Sequence, residues 1–265
     1  SLSAASAATT TTTVRTGGGT VTLTNAGTLA LNATIDADGA VTQNGAGAVT
    51  TTGSRTLTTT NDAVTLTQAV TLGGDLTISS GTGPITFNST INGGANLTAN
   101  STGTTTFNGA VGNLTPLTTL TTNAGGTTDL NGGTVTTTGA QTYNDAVLLS
   151  ADTTLTAGAG NLTFGSTLNS TSGNTFSLTA NSTGTTTFSG AVGATDALST
   201  LTTNAGGTTA LTGGSVTTTG PQTYNDAVTL GAATTLTSTG SGAITLGSTV
   251  NGAQTLTVNT AGATT

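Results

Sequence analysis

Hydrolytic and acid–base chemistry needs titratable side chains brought together. This 265-residue chain has nine Asp, Arg15 and Arg55, and no His, Cys, Lys or Glu. Triads that turn on His or Cys, and metal sites built on imidazole or thiolate, have no members here. Asp36-Ala-Asp38-Gly39 has the opening of a calcium loop, but the further oxygen ligands of that pattern do not follow. Asp36 and Asp38 are therefore weak metal candidates, and an Asx-rich turn is the plainer reading. Asp145 and Asp226 recur in the same local sequence. At four coils' separation they would stand about 19 Å apart at strand spacing, too far to share a sugar or an ion. Asp129 and Asp152 are replaced by Ala210 and Ala233 on repetition. The chain is expected to be no enzyme and to carry no cofactor.

The net charge of −7 gives phosphate-backbone binding and anionic membrane surfaces nothing to draw on, since both use clustered Lys and Arg. No apolar run is long enough for a spanning helix, so neither nucleic acid nor membrane insertion is expected. No Cys means no disulfide framework, which suits a chain exported unfolded, while cysteine-free cytosolic chains are also common. Ser1 onward shows no secretory leader pattern.

The elements that position these residues are written twice. Leu97–Thr156 returns 81 residues later as Leu178–Thr237, with 13 of the 60 positions changed. Repetition at a fixed period points to a repeat architecture. Apolar positions at Leu97, Leu120, Val135 and Leu155 are each followed by a second anchor, at Phe107, Leu130, Tyr143 and Phe164. That divides the unit into four coils of about 20 residues, the size of a β-solenoid turn. Corners are marked by an apolar residue, two turn formers, a small residue and an aliphatic, as in Phe107-Asn-Gly-Ala-Val111 and Tyr143-Asn-Asp-Ala-Val147. Such corners bend the backbone between two inward side chains. Thr, about three residues in ten, is β-branched and favours strands.

Comparing the copies picks out the inward positions. Leu97, Phe107, Val111, Leu120, Leu130, Val135, Tyr143, Val147, Leu149 and Leu155 recur as Leu178, Phe188, Val192, Leu201, Leu211, Val216, Tyr224, Val228, Leu230 and Leu236. Phe164 joins them as the anchor that follows Leu155. Val147 and Leu149 are kept while Leu148 becomes Thr229, the period-2 signature of a strand with one buried face. Tyr143 and Tyr224 are expected at the core edge, hydroxyl to solvent. Outward Thr and Asn should form ladders bonded along the axis.

The expected fold is all-β, a right-handed parallel β-helix with about 20 residues per coil and four coils per repeat. Residues 1–20 read as an irregular lead-in or terminal coil. Residues 21–265 read as one continuous solenoid, with a diverged repeat at 21–96, repeats at 97–177 and 178–255, and a partial one at 256–265. Roughly 13 coils at about 4.8 Å each would make a rod about 60 Å long.

Thr121–Thr128 and Thr202–Thr209 both read Thr-Thr-Asn-Ala-Gly-Gly-Thr-Thr, and each is followed by Thr-Thr-Thr-Gly and Gln-Thr-Tyr-Asn-Asp-Ala-Val. This resembles the shaft repeats of large filamentous-haemagglutinin-like surface proteins. The resemblance implies the right-handed hand, display at the bacterial cell surface, and a role as adhesin or fibre. The Asn-Pro secretion motifs of that group are not in this sequence. Expected partners are further copies of the chain or neighbouring repeats, with host-cell or environmental glycans as an alternative. Two surface features remain: Asn-x-Ser/Thr sequons at Asn32, Asn88, Asn96, Asn100, Asn113, Asn161, Asn169 and Asn181, and Thr triplets such as Thr185–Thr187 that resemble the hydroxyl arrays of ice-binding solenoids.

Overall fold

The computed structural model describes the backbone of residues 2–4, 8–10 and 14–16, and all of residues 17 and 19–265. Within the proposed lead-in, Leu2–Ala4, Ala8–Thr10 and Val14–Thr16 are strands; residues 1, 5–7, 11–13 and 18 of that stretch lie outside the described residues. Among the described residues there is no helix, and all strand ladders are parallel. The chain is a right-handed parallel β-solenoid with coils of about 21 residues. It divides into two compact units, Ser1–Gly132 and Gly133–Thr265, each with three sheets.

In the first unit one sheet stacks Val21–Asn25, Val41–Gln43, Val64–Leu66, Ile85–Phe87, Thr104–Phe107 and Thr127–Leu130. A second holds Leu29–Leu31, Val49–Thr52, Val70–Gly73 and Ile91–Asn92. The third runs from Ile35–Ala37 through Arg55–Thr59, Leu76–Ser79 and Asn96–Asn100 to Thr119–Thr122. Each strand turns alternate side chains inward, so columns form along the axis. Leu29, Val49, Val70, Ile91 and Val111 make one of them.

The second unit repeats the plan. Its first sheet stacks Gln141–Tyr143, Leu162–Phe164, Thr185–Phe188, Thr208–Leu211, Ala227–Leu230 and Val250–Asn251. Its second stacks Thr134–Thr136, Thr153–Thr156, Leu178–Asn181, Leu201–Thr203, Gln222–Tyr224 and Ile244–Leu246. Its third joins Ala146–Leu149 and Leu168–Ser170 through Val192 to Ser215–Thr218, Thr234–Ser238 and Leu256–Asn259. Coils run from 19 residues (Thr208 to Ala227) to 25 (Thr153 to Leu178).

The pairings refine how repeat and coil relate. Gln141–Tyr143 lies in the first sheet, but its copy Gln222–Tyr224 lies in the second; Ala146–Leu149 lies in the third sheet and its copy Ala227–Leu230 in the first. An 81-residue step therefore comes round one face short of four turns.

Of the twenty-one proposed inward residues all but Leu230, at 5%, are at most 2% exposed, Tyr143 and Tyr224 included. Columns let like stack on like. Phe87 lies on Phe107 at 5.3 Å between ring centroids, and Phe164 lies between Tyr143 at 5.6 Å and Phe188 at 5.1 Å. Corners stack as tightly. A Cβ on Gly213 would come within 2.0 Å of the Gly190 carbonyl oxygen in the coil before, so this place tolerates only glycine.

Phe164→Ala, removing the middle ring of a stack, should cost about 3–5 kcal/mol. Its outward neighbour Thr163→Ala should stay within about 0.5 kcal/mol. Chemical denaturation of the two variants reads this difference; equal effects would overturn the assigned strand orientation.

Candidate functional site

Asp36 sits outward in Ile35–Ala37, where its register partner is Arg15, and Asp38 is exposed in the turn that follows. Among the described residues no group of three or more His, Cys, Asp or Glu side chains is placed to hold a metal ion. Arg55 is half-buried and caps backbone: Nε donates to the Leu31 carbonyl at 3.1 Å and Nη1 to that of Ser54 at 2.7 Å.

The repeated tyrosines are corrected from the expected position. Each is fully buried, and its hydroxyl donates at 3.0 Å to the glutamine two residues earlier, Tyr143 to Gln141 Oε1 and Tyr224 to Gln222 Oε1. Residues i and i+2 share a strand face, so glutamine and tyrosine point into the same interior. Gln222 Nε2 in turn donates to the Thr237 carbonyl at 2.9 Å, with the Val216 carbonyl and Thr218 Oγ1 at 3.3 Å. Gln141 repeats this with Thr156, Val135 and Thr137. Burial pushes both phenols well above their usual range, and the charge of Asp145 adds to the effect at Tyr143. Nothing in the composition singles out these glutamines; their recurrence two residues before a core tyrosine is the signal that would have.

The Asn-Asp corners are turns, but their aspartates point inward. Asp145 is 2% and Asp226 3% exposed. They occupy different corners of the coil, Asp145 between the first and third sheets and Asp226 between the second and first. Asp226 Oδ1 accepts from Thr209 Oγ1 at 2.7 Å and from Thr203 Oγ1 at 3.0 Å. Those threonines flank the Asn204-Ala-Gly-Gly207 turn of the preceding coil.

Outside, the polar rows differ in how they bond along the axis. In the first unit Asn131 donates to Asn108 at 3.0 Å and Asn108 to Asn88 at 2.8 Å, a chain of carboxamides along the axis. In the second unit Thr134, Thr154, Thr179, Thr202, Thr223 and Thr245 stand in one outward column. Of these, only Thr245 has a side-chain partner among the described residues, accepting from Thr265 at 3.3 Å. The expected bonding along the axis thus holds for Asn and for single Thr pairs such as Thr185 and Thr208, whose hydroxyls stand 3.0 Å apart in adjacent coils, but not along most of this Thr row. Several sequon asparagines are already committed: Asn96 accepts from Thr119 and Asn161 from the Thr185 amide, while Asn169 is only 8% exposed.

No protein-family model, no curated protein and no solved structure matches this chain.

Tyr224→Phe strands Gln222 Oε1 in the core and should cost about 1–3 kcal/mol. The raised phenol pKa also sets a pH dependence. Above the unfolded value near 10 the native state keeps a proton that the unfolded state has lost. Stability is therefore complete below pH 10 and falls as pH rises beyond it. Denaturation midpoints between pH 8 and 11, with tyrosinate absorbance appearing only on unfolding, check this; early tyrosinate absorbance would contradict the burial.

Proposed function

We propose that this chain is a non-enzymatic structural rod of the bacterial cell exterior, a shaft segment of a large surface adhesin or fibre. The observation that carries the reading is the continuity of hydrogen bonding from coil to coil. Val147 N donates to the Thr167 carbonyl at 2.8 Å and Leu178 N to that of Thr200 at 2.9 Å, coil upon coil, in all three sheets of the second unit. A stack whose strands each bond both neighbours resists local opening and gives a protease few exposed segments. Support also comes from the outward faces, which are dominated by Thr and Asn and nearly free of charge. The likeness of the Thr-Thr-Asn-Ala-Gly-Gly-Thr-Thr and Gln-Thr-Tyr-Asn-Asp-Ala-Val runs to haemagglutinin-type shafts points the same way.

A second reading is a filament or surface-layer subunit that stacks end to end. In the last described coil Leu246, Val250, Leu256 and Val258 continue the inward columns of Tyr224, Val228, Thr234 and Leu236. They are half-buried, or in the case of Val250 37% exposed. These are columns that a further coil, from this chain or from another copy, would cover. Ice or glycan binding by the outward hydroxyl rows comes third.

Negative-stain electron microscopy of the purified chain over a wide concentration range decides among these. Single short rods at every concentration fit a shaft segment, and fibres that lengthen with concentration fit the filament. Globular or collapsed particles would sink both. Thermal hysteresis and glycan arrays examine the third reading.

A further inference from the structure

The Asn-x-Ser/Thr sequons have no part in the rod reading, and the fold treats them very unequally. A sequon directs a sugar to its asparagine carboxamide where the segment is exposed and x is not proline. Seven of the eight begin at asparagines that the solenoid holds. Asn32 and Asn88 accept hydrogen bonds from Thr52 and Asn108. In the strand Asn96–Asn100, Asn96 accepts from Thr119 and Asn100 donates to Ser79. Asn161 accepts from the Thr185 amide. Asn169 and Asn181 lie in the strands Leu168–Ser170 and Leu178–Asn181, the first 8% exposed and the second half-buried. Asn113 alone is exposed, outside any strand, and without a side-chain hydrogen bond among the described residues.

Asn113 sits in a loop built to project. Val111 and Leu117 are fully buried at its two ends. Gly112, at φ 68°, turns the chain out of the coil in a conformation that favours glycine. Asn92 Oδ1 then accepts from the Leu114 amide at 2.9 Å and the Thr115 amide at 3.2 Å. The Gly93 amide donates to the Thr115 carbonyl at 3.1 Å. The backbone is thus fixed while Asn113, Leu114 and Thr115 are all exposed, Leu114 at 82%.

The repeat supplies an independent comparison. Asn113-Leu-Thr-Pro116 is replaced as a block by Ala194-Thr-Asp-Ala197, the only run of consecutive changes among the 13 differences. The frame is kept, since Asn169 Oδ1 accepts from the Thr195 amide at 3.1 Å. The sequon is gone, and Asp196 Oδ1 instead accepts from the Gly173 amide of the preceding loop at 3.4 Å. An open tip carries the acceptor asparagine, and a tip tied to its neighbour does not.

We propose that Asn113 is an N-glycosylation site whose sugar shields Leu114. The donor is a glycosyl diphosphate, used by a glycosyltransferase of the producing cell. Asn113 Nδ2 forms the new bond to the anomeric carbon and gives up one proton to the enzyme's base. The bond from that carbon to the diphosphate breaks, and the diphosphate leaves with the electron pair. Thr115 supplies the hydroxyl that the sequon requires. The inference goes beyond the rod reading and holds equally for a shaft and a filament.

The test is glycopeptide mapping of the chain recovered from its native cells. Thermolysin replaces trypsin, because Arg15 and Arg55 are the only tryptic sites. Electron-transfer fragmentation should place sugar on Asn113 and leave the other seven sequons bare. Sugars added singly identify a nucleotide-linked donor, and one preassembled oligosaccharide identifies a lipid-linked donor. T115A should abolish the modification, and T115S, which keeps the sequon, should retain it. A bare Asn113 in the wild-type chain, or sugar still present in T115A, overturns the proposal. Sugar on buried Asn169 as well would mean modification before the chain coils, and overturns selection by exposure.

Discussion

Parallel in-register stacking is the constraint from which the rest follows. Adjacent coils lie one strand spacing apart, about 4.8 Å, so each side chain is confronted by the residue at its own place in the coils above and below. What a position tolerates is set by its column. Flat rings succeed because they stack, as Phe164 does between Tyr143 and Phe188. Carboxamides succeed because each donates one way and accepts the other, as Asn108 does between Asn88 and Asn131. A Cβ fails where two corners touch, which is why glycine stands on glycine at Gly190 and Gly213.

The column rule explains what was legible in the sequence and what was not. Alternation along a strand is local, so the inward set from Leu97 to Val228 and the parallel solenoid itself can be read directly, as can the corners at Asn108-Gly-Ala and Asn144-Asp-Ala. The direction of a polar tip is not local. Tyr224 looks amphipathic in isolation and belongs at an edge; it is wholly buried because Gln222, on the same face, offers its hydroxyl an acceptor. Asp226 looks like a turn residue and is one, yet Thr203 and Thr209, brought beside it from the coil before, draw its carboxyl inward. Those partners lie 23 and 17 residues away, at offsets set by loops of varying length that no window of local sequence contains.

Threonine serves three separate purposes in this chain, and each uses a different part of the side chain. In outward columns such as Thr134 to Thr245 the β-branch favours the extended backbone while the hydroxyl is left to water. At corners the hydroxyl satisfies the turn, as when Thr218 donates to the Gly220 carbonyl at 2.6 Å. Inside, Thr203 and Thr209 serve the buried carboxylate of Asp226. A composition dominated by one residue type therefore does not imply one uniform surface. It reflects a residue that suits strand, corner and polar interior well enough to fill each where a larger apolar side chain would not fit.

The mismatch between repeat and coil bears most directly on function. Because 81 residues fall one face short of four turns, a motif copied along the sequence is moved to a new face and does not extend the old one. The outward row of the second sheet is accordingly assembled from non-equivalent positions: Thr223 belongs to it, while its copy Thr142 stands in the first sheet beside Thr163 and Thr187. A surface shaped to match a flat lattice would gain from a repeat of whole turns, with every copy adding to one plane. A repeat that rotates distributes the same chemistry around the axis and favours no direction. Such a distribution agrees with the shaft proposed above, whose task is to hold its length with no side privileged.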